Sequence, residues 1–475
     1  MENQAQRIRK IHLIAISGVG MAAIAGLLKE AGFQVSGSDA GVFPPMSTLL
    51  ERAGIPCKIG FDPSHIDPDT DCVIIGNAVS ADNLEVVETL RRGIPYYSMP
   101  EALRLFFLND RKPLVVSGTH GKTTTSSLLS FVLTAGGLDP GVMVGGIMKN
   151  FNTNHLLGKG SHFVIEGDEY NTAFFDKGPK FLHYRPYHAI LTSIELDHTD
   201  IYASLDAIKD AFKQFVRLLP KDGLLVASDD PAVLEVIKEA SCQTTTYGFH
   251  PEADWQADGI YSAEGLTCFD LLHHHEKIAT VKSPMIGRHN IKNTLAVIAL
   301  THHIGLSLDA ILNGIRLFQG VARRQDIVGE VNDIIVMDDF AHHPTAITET
   351  FLALRLRYPT KRLWAVFEPK SASSRRNVFQ KEFVTAFASA DVTILANVFA
   401  SEKLAEEIRL HPRQVIQDLS ALGKEGYFIP TADEIVSFLV DRLQPNDLVC
   451  IMSSGGFGGI YTKLVASLKD KFTPE

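Results

Sequence analysis

A glycine-rich turn at residues 118–124 has the residue types of a phosphate-binding loop. It follows an apolar strand-like run at residues 114–117 and precedes a helix predicted over residues 124–135. Backbone N–H groups at such a helix start bind phosphate oxygens, and the helix dipole favours the negative charge. Lys122 is expected to reach the β- and γ-phosphates, and the Thr123 hydroxyl to bind Mg²⁺. Val116 stands where the general motif has its first glycine, and the alternative interpretation is a turn with a solvated lysine.

Two acidic segments follow strand-like runs behind this loop. Glu166 ends the run at residues 162–166, and His198 follows the run at residues 189–193. Ligands gather outside the carboxyl ends of parallel strands, and Mg²⁺ takes hard ligands there to neutralise phosphate charge. Glu166 and His198 are therefore candidate metal contacts, although surface loops also carry such residues.

Another glycine turn, with the pattern G-x-G-x-x-A, follows the first strand-like run. Gly18 and Gly20 lie in this turn, and Asp39 closes the next strand. This arrangement suits a pyrophosphate at the helix N-terminus and a carboxylate on a ribose. This motif alone is compatible with three interpretations: an NAD cofactor, a nucleotide-linked substrate, or close packing of the helix on the strand.

Polar positions further along the chain have less specific patterns. Asn290 and Asn293 precede an apolar helix predicted over residues 294–299, where they would cap the helix or face an adenine edge. Arg324 lies in a polar junction, where it is either part of a linker or a phosphate contact. The glycine-rich turn at residues 453–459 precedes the last helix and suits a carboxylate or a phosphate. The histidine runs at residues 273–275 and 302–303 lack structural-zinc spacing and are interpreted as surface residues.

Strand-like and helical runs alternate along the chain, which predicts an α/β protein with parallel sheets. Strands are predicted at residues 11–17, 34–38, 72–75, 114–117, 334–337, 363–367, 392–395 and 448–452. Polar junctions divide the chain into blocks at residues 1–110, 111–319 and 320–475. We expect a Rossmann-like N-terminal domain, a P-loop ATPase-like central domain and a Rossmann-like C-terminal domain, with clefts between them.

Composition narrows the class of protein. The chain has 475 residues, 45% of them hydrophobic, and a formal net charge of −10, which argues against a nucleic-acid partner bound by bulk charge. Five scattered cysteines without C-x-x-C spacing fit a reducing compartment. Residues 11–28 contain no Asp, Glu, Lys or Arg, but the glycine turn interrupts them, so neither a signal peptide nor a membrane span is predicted. We expect a cytoplasmic protein with no membrane partner.

Taken together and in this order, the motifs resemble the Mur ligase family of ATP-dependent amide-bond-forming enzymes. The resemblance covers nearly the whole chain and rests on G-V-G-M, G-T-H-G-K-T-T, E-G-D-E-Y, L-D-H-T-D, G-R-H-N-I-K-N and D-D-F-A-H-H-P-T. Two branches of that family act on UDP-N-acetylmuramate, one adding L-alanine and the other a recycled murein tripeptide. Segments at residues 168–184, 368–371 and 454–459 look like the peptide-adding branch, although Gly167 and Asn171 depart from its usual pattern.

The resemblance implies a reaction and its participants. ATP phosphorylates the lactyl carboxylate, and the amine of L-alanyl-γ-D-glutamyl-meso-diaminopimelate then attacks the acyl phosphate; addition of L-alanine is the alternative. Mg²⁺ is the implied cofactor, ATP the co-substrate, and a monomer is expected. An NAD-dependent oxidoreductase would leave the second phosphate motif unexplained, and a GTPase switch would need an N-K-x-D motif, which is absent.

The resemblance also assigns roles to individual residues. The expected ATP-binding residues are Gly118, Thr119, His120, Gly121, Lys122, Thr123, Thr124, Asn290, Arg324, Asp338 and Asp339. The expected Mg²⁺ ligands are Thr123, Glu166 and His198, and the expected catalytic residues are Lys122, Glu166, His198 and Lys209. The expected UDP-sugar residues are Gly18, Val19, Gly20, Met21, Asp39, Asn77, Ala78 and Ser80. The expected peptide-binding residues are Ser454, Gly455, Gly456 and Phe457.

Overall fold

The computed structural model describes residues 7–472. These residues form three large, mainly parallel sheets and one two-stranded ribbon. The strands are β1 Lys10–Ile14, β2 Gln34–Asp39, β3 Cys57–Ile59, β4 Cys72–Ile75, β5 Tyr96–Ser98, β6 Lys112–Ser117, β7 Gly141–Met148, β8 Thr153–Leu156, β9 His162–Gly167, β10 Asn171–Ala173, β11 Asp176–Pro179, β12 His188–Leu191, β13 Leu224–Ser228, β14 Gln243–Gly248, β15 Trp255–Ala263, β16 Leu266–His273, β17 Glu276–Ser283, β18 Asp326–Val331, β19 Ile334–Asp339, β20 Arg362–Phe367, β21 Val392–Leu395, β22 Glu425–Phe428 and β23 Asp447–Met452.

Helices follow most of the parallel strands and cover the sheet faces. They are α1 Val19–Glu30, α2 Met46–Arg52, α3 Leu84–Arg92, α4 Met99–Leu103, α5 Lys122–Ala135, α6 Leu205–Val216, α7 Pro231–Val236, α8 Arg288–Ile304, α9 Leu308–Leu317, α10 Pro344–Arg357, α11 Gln380–Phe387, α12 Pro412–Ala421, α13 Ala432–Arg442 and α14 Ile460–Phe472. In the described part of the chain, none of these helices is both long and apolar enough to cross a membrane. The alternation confirms the α/β class expected from the sequence.

The first sheet is wholly parallel, in the order β3-β2-β1-β4-β5. Strand β4 occupies the predicted residues, whereas β1 ends at Ile14 rather than at residue 17. It ends early because Ala15 adopts a left-handed φ of 64°, which turns the chain toward Gly18 at the start of α1. The glycine turn therefore lies at the carboxyl edge of this sheet, where ligands of parallel sheets bind.

The central sheet has ten strands, in the order β17-β16-β15-β14-β13-β12-β6-β9-β7-β8. Strand β6 lies near its middle, parallel to β12 on one side and to β9 on the other. The phosphate-type loop leaves the carboxyl end of β6, and the two acidic segments leave the same ends of β9 and β12. The topology therefore brings together three segments that are far apart in the sequence.

The third sheet has the order β18-β19-β23-β20-β21-β22 and is parallel except for β18 at one edge. Separate apolar cores pack against its two faces. The predicted strand at residues 392–395 is confirmed, and Pro344 occupies the first turn of α10, a position that proline favours.

Helix α1 joins the first sheet to the central one. All residues from Met21 to Leu28 are buried, because the helix packs on the first sheet and on β7 and β8. Helix α1 and strand β8 come so close at Gly26 that a Cβ atom there would lie 2.1 Å from Nε2 of His155. Between the central and third sheets, Ser373 Oγ donates a hydrogen bond of 2.6 Å to Asp197. The three sheets are thus held against one another around a common space.

Two helix starts differ from the sequence prediction. Helix α5 begins at Lys122 rather than residue 124, so the lysine itself belongs to the first turn. Helix α8 begins at Arg288, so Asn290 and Asn293 lie inside it and the prediction that they cap a helix is wrong. The helix starts early because Gly287 takes a φ of 96°, a left-handed conformation that allows the chain to turn directly into α8.

Candidate active site

A cavity of about 960 Å³ lies between the three sheets and takes lining residues from each of them. The predicted site residues that line it are Val19, Gly20, Thr119, His120, Gly121, Lys122, Thr123, Thr124, Glu166, His198, Asn290, Arg324, Asp339 and Ser454. The predicted residues that do not line it are Gly18, Met21, Asp39, Asn77, Ala78, Ser80, Gly118, Lys209, Asp338, Gly455, Gly456 and Phe457. Most of the predicted ATP-binding and metal-binding residues therefore line one cavity, whereas most of the predicted UDP-sugar and peptide residues lie outside it.

Two glycines give the phosphate-type loop its shape. At Gly118 φ is +131°, and a Cβ would lie 2.2 Å from Oγ1 of Thr192. At Gly121 φ is +81°, and a Cβ would lie 2.7 Å from the side-chain oxygen of Asn293. The loop is also clamped to the segment after β12, because Ser193 accepts a hydrogen bond of 3.0 Å from the N–H of His120. The backbone is thus held open for an anion at the start of α5.

Lys122 lies over this loop in a buried charge cluster. Its ammonium donates to the carbonyl of Gly118 at 2.6 Å and to Oε2 of Glu169 at 3.0 Å. Nε2 of His198 lies 3.3 Å from the other oxygen of Glu169. Burial alone would lower the pKa values of Lys122 and His198, but Glu169 raises both above their ordinary values. Burial alone would raise the pKa of Glu169, but Lys122 and His198 lower it.

Thr123 and Glu166 form an oxygen pair beside this cluster. The Thr123 hydroxyl donates to Oε2 of Glu166 at 2.9 Å, and the N–H of Gly145 donates to the other carboxylate oxygen. Burial and the nearby charge of Asp168 raise the pKa of Glu166. The Thr123 hydroxyl and the Glu166 carboxylate line the same cavity, and the negative charge of this buried carboxylate is only partly neutralised by its neighbours. Oxygen atoms of this kind are hard ligands suited to Mg²⁺. The residues present therefore fit the expected ion.

A second buried lysine lines the same cavity. The ammonium of Lys180 lies 3.7 Å from Asp168 and 4.1 Å from the ring centre of Tyr170. Burial lowers its pKa despite the nearby acid. Lys180 and Glu169 are the functional candidates that sequence reasoning missed. Glu169 lies within the E-G-D-E-Y motif, but only the folded structure shows which acid pairs with Lys122.

The predicted adenine contact lies on the first turns of α8. Asn290 is buried, donates to the carbonyl of Ile286 at 2.9 Å and accepts a hydrogen bond of 3.1 Å from the side chain of Asn293. Its Nδ2 also lies 3.4 Å from the side-chain oxygen of Gln325. These bonds fix the orientation of the amide at the cavity wall and use both of its N–H groups, so an adenine edge would have to displace the longer bond to Gln325.

The paired residues at the junction with the third sheet have different surroundings. Arg324 lines the cavity and donates to Oγ1 of Thr123 at 3.3 Å. Arg323 instead bonds to Asp338 at 3.1 Å and to the carbonyl of Gly455 at 2.6 Å, so it holds the glycine-rich turn in place. Asp339 lines the cavity and Asp338 does not, because successive strand side chains point to opposite faces.

Lys209 is not brought to the cavity. It lies on α6 with its ammonium 2.6 Å from Glu235, which is 47% exposed. The predicted peptide contacts also separate, since Ser454 lines the large cavity whereas Phe457 is buried beside a smaller cavity of about 300 Å³.

The predicted UDP-sugar residues divide in the same way. Val19 and Gly20 line the cavity. Asp39 accepts from the N–H of Ser17 at 2.9 Å and so holds the glycine turn. Asn77, Ala78 and Ser80 lie on an exposed loop after β4.

Family models match three successive parts of the chain. The model described as Mur ligase family, catalytic domain, matches residues 10–111, and the Mur ligase middle domain matches residues 116–301. The model described as Mur ligase, glutamate ligase domain, matches residues 323–455. The chain belongs to the Mur ligase family. The division into domains at residues 110 and 319 stays a prediction.

Individual relatives of this Mur ligase are similar over almost its whole length. The UDP-N-acetylmuramate–L-alanyl-gamma-D-glutamyl-meso-2,6-diaminoheptandioate ligase of Haemophilus influenzae is 37% identical, over 98% of this chain and 100% of its own. A crystal structure of a murein peptide ligase from Psychrobacter arcticus superposes with a TM-score of 0.74 at 33% identity, over 97% of this chain and 98% of its own. That of a UDP-N-acetylmuramate-alanine ligase from Thermotoga maritima gives 0.82 at 25% identity, over 97% and 99%.

Proposed function

We propose that this Mur ligase uses ATP to join the lactyl carboxylate of UDP-N-acetylmuramate to the amine of L-alanyl-γ-D-glutamyl-meso-diaminopimelate. The observation that carries the proposal is the near full-length similarity to the Haemophilus influenzae peptide-adding ligase. In the proposed reaction, a carboxylate oxygen attacks the γ-phosphorus of ATP and ADP leaves. The amine then attacks the resulting acyl phosphate, and inorganic phosphate leaves as the amide forms.

The nucleotide end of the proposed reaction uses the loop before α5. Phosphoryl transfer needs alignment and neutralisation of charge more than covalent help from the protein. In this proposal the backbone N–H groups at Gly121 and Lys122 orient the phosphates, and the ammonium of Lys122 moves from Glu169 onto phosphate oxygens. Asn290 binds adenine, and Arg324 lines the same cavity from the junction with the third sheet.

Thr123 and Glu166 are the proposed Mg²⁺ ligands, and they lie beside the cluster formed by Lys122, Glu169 and His198. The ion, when bound, supplies positive charge that neutralises the phosphate oxygens. Glu166 holds the Thr123 hydroxyl in position, and Glu169 holds the imidazole of His198.

The acceptor end of the proposed reaction needs a dry space, because water would otherwise hydrolyse the acyl phosphate. Lining residues from all three sheets surround the cavity in which we place this step. We assign the first sheet to the UDP-sugar, the central sheet to ATP and the third sheet, through Ser454, to the peptide. Lys180 is a buried cation on the cavity wall and is available to the negatively charged substrates.

Addition of L-alanine is the second candidate function. It is favoured by the TM-score of 0.82 to the Thermotoga maritima alanine ligase, although the sequence identity to that protein is 25%. The two reactions share ATP and the UDP-sugar and differ only in the amine, so an assay with both amines separates them.

The experiment measures ADP release from ATP, Mg²⁺ and UDP-N-acetylmuramate with either tripeptide or L-alanine. We expect at least about tenfold higher kcat/KM with the tripeptide, which corresponds to about 1.4 kcal/mol of additional transition-state stabilisation. The Lys122→Ala variant is the control and should abolish release with both amines. A preference for L-alanine, or no stimulation by either amine, would overturn the proposal.

A further inference from the structure

Three side chains meet where the central and third sheets touch, apart from the Thr123–Glu166 pair. His120 comes from the phosphate-type loop, Glu195 from the segment after β12, and His343 from the residue before α10. One ligand atom of each lies within 4.8 Å of the other two. Oε2 of Glu195 is 3.5 Å from Nε2 of His120 and 3.7 Å from Nδ1 of His343.

The hydrogen bonds of His343 define which of its nitrogens carries the proton. Its Nε2 lies 3.3 Å from the carbonyl oxygen of Leu196 and therefore donates to it. Its Nδ1 accepts from the N–H of Thr345 at 3.3 Å, so its one lone pair is directed at that N–H. Nδ1 also lies 3.7 Å from Oε2 of Glu195. A cation beside Glu195 can take over this lone pair in exchange for the long hydrogen bond to Thr345.

The surroundings of His120 point to the same conclusion. Its Nε2 is buried and has no hydrogen-bond partner within residues 7–472, although Glu195 is close by. The rings of His120 and His343 lie side by side, with centroids 4.8 Å apart. The hydroxyl of Thr345 donates to Oε2 of Glu195 at 2.7 Å and fixes the carboxylate between the two imidazoles.

We propose that His120, Glu195 and His343 bind one transition-metal ion of the zinc class. Two imidazoles and one carboxylate are a donor set that such ions prefer and Mg²⁺ does not. Metal–ligand bonds of about 2.1 Å in a tetrahedron place ligand atoms about 3.4 Å apart. The two spacings to Glu195, 3.5 and 3.7 Å, are close to this value, and the two imidazoles, whose ligand atoms lie within 4.8 Å of each other, would have to approach. The carbonyl of Leu196 and the hydroxyl of Thr345 hold the ligands from behind, as partners of metal-bound side chains do.

The ion would act on the arrangement of the domains. Its ligands come from the central sheet and from the segment leading into α10 of the third sheet. They meet only while these parts are docked as they are here, so binding stabilises the docked form, increasingly as the free ion concentration exceeds the Kd of the site. His120 lines the large cavity, which gives the ion a path of entry.

The test is a Co²⁺ titration of the full-length, nucleotide-free protein in excess Mg²⁺, followed by visible absorption. We expect one equivalent to bind with the intense bands of tetrahedral cobalt. His343→Asn should weaken binding at least about 100-fold, because asparagine keeps the cap of α10 but lacks the imidazole. Glu195→Gln, which keeps an acceptor for Thr345, should also weaken it. Circular dichroism and thermal unfolding establish that both variants fold.

The matched control is His274→Asn. It lies on the hairpin between β16 and β17, where the histidine side chain is 67% exposed and φ is 49°, a conformation that asparagine accepts. Its cobalt binding should equal that of the wild type. Three results would overturn the proposal: no tetrahedral spectrum, unchanged binding in folded His343→Asn and Glu195→Gln, or equal losses in His274→Asn.

Discussion

Replacing Glu169 by glutamine tests whether the charge cluster over the phosphate-type loop is held together by this carboxylate. Glu169 is 2% exposed and Lys122 13% exposed, so their 3.0 Å contact is almost entirely shielded from water. Removing one partner of a buried ion pair costs about 3–5 kcal/mol, because the other charge remains buried without compensation. Glutamine keeps the shape and one acceptor oxygen. We therefore expect the free energy of unfolding to fall by about 3 kcal/mol at pH 6.

The loss should depend on pH in a defined direction. The pKa of Glu169 is lowered in the folded protein, so its contribution is present above its ordinary pKa and is lost in acid. The pKa of His198 is raised, so its contribution is present below its ordinary pKa and is lost as the pH rises through the raised value. The difference between wild type and Glu169→Gln should therefore be larger at pH 6 than at pH 9, where only the Lys122 part remains.

Urea unfolding of the full-length protein at both pH values measures this difference. Glu235→Gln is the matched control, because Glu235 also bonds to a lysine of the central part, Lys209 at 2.6 Å, but is 47% exposed. An exposed pair of this kind is worth at most about 1 kcal/mol. Saturating ATP should recover part of the loss in Glu169→Gln, because phosphate oxygens then compensate Lys122. Equal losses in the two variants, or a larger Glu169→Gln loss at pH 9, would refute the reasoning.

Two further substitutions probe the other sheets. Burial raises the pKa of Asp338 to about 6 despite its bond to Arg323, so stability from this group is present in acid and lost as the pH rises through 6. In urea unfolding, Asp338→Asn should gain about 3 kcal/mol relative to wild type between pH 4 and pH 7, and parallel pH curves would contradict this. A Cβ at Gly20 would lie 3.3 Å from Cε of Met99 and 3.5 Å from Cε of Met143 at the cavity wall. Gly20→Val should weaken UDP-sugar binding at least tenfold in calorimetry while ATP binding changes less; the reverse order would move the sugar site elsewhere.

The parts of the fold that sequence reasoning predicted are those where local signals agree. Strands β4 and β21 are short runs of apolar residues buried on both faces, and their bounds were predicted to the residue. The start of α8 was missed because its first turn is polar, G-R-H-N-I-K-N, and the apolar pattern begins only at Thr294. Polar residues that lie inside a helix and line a cavity thus resemble helix-capping residues when only the sequence is considered.

The candidate site shows a similar limit. Motif spacing predicted Lys122, Thr123 and Glu166, because Lys122 and Thr123 follow the glycine turn after β6 and Glu166 lies near the carboxyl end of β9. The carboxylate that pairs with Lys122 could not be assigned, since Glu166, Asp168 and Glu169 lie in one short segment and their side-chain directions depend on the loop after β9. The contact between His120 and His343 could not be predicted from the sequence either, because it depends on how the central and third sheets dock.

The charges around the loop explain why nucleotide and divalent cation should bind together. The cationic side chains that line the cavity near the loop are Lys122, Lys180 and Arg324, and the acidic ones in and beside the segment after β9 are Glu166, Asp168 and Glu169. The formal charges of these six side chains cancel before any ligand arrives. A polyphosphate that enters must draw Lys122 away from Glu169, which leaves excess negative charge in a space shielded from water. Only added positive charge relieves this, and the Thr123–Glu166 pair is the hard-oxygen position where it can be placed. On the proposed function, ATP affinity should therefore rise steeply with Mg²⁺ concentration.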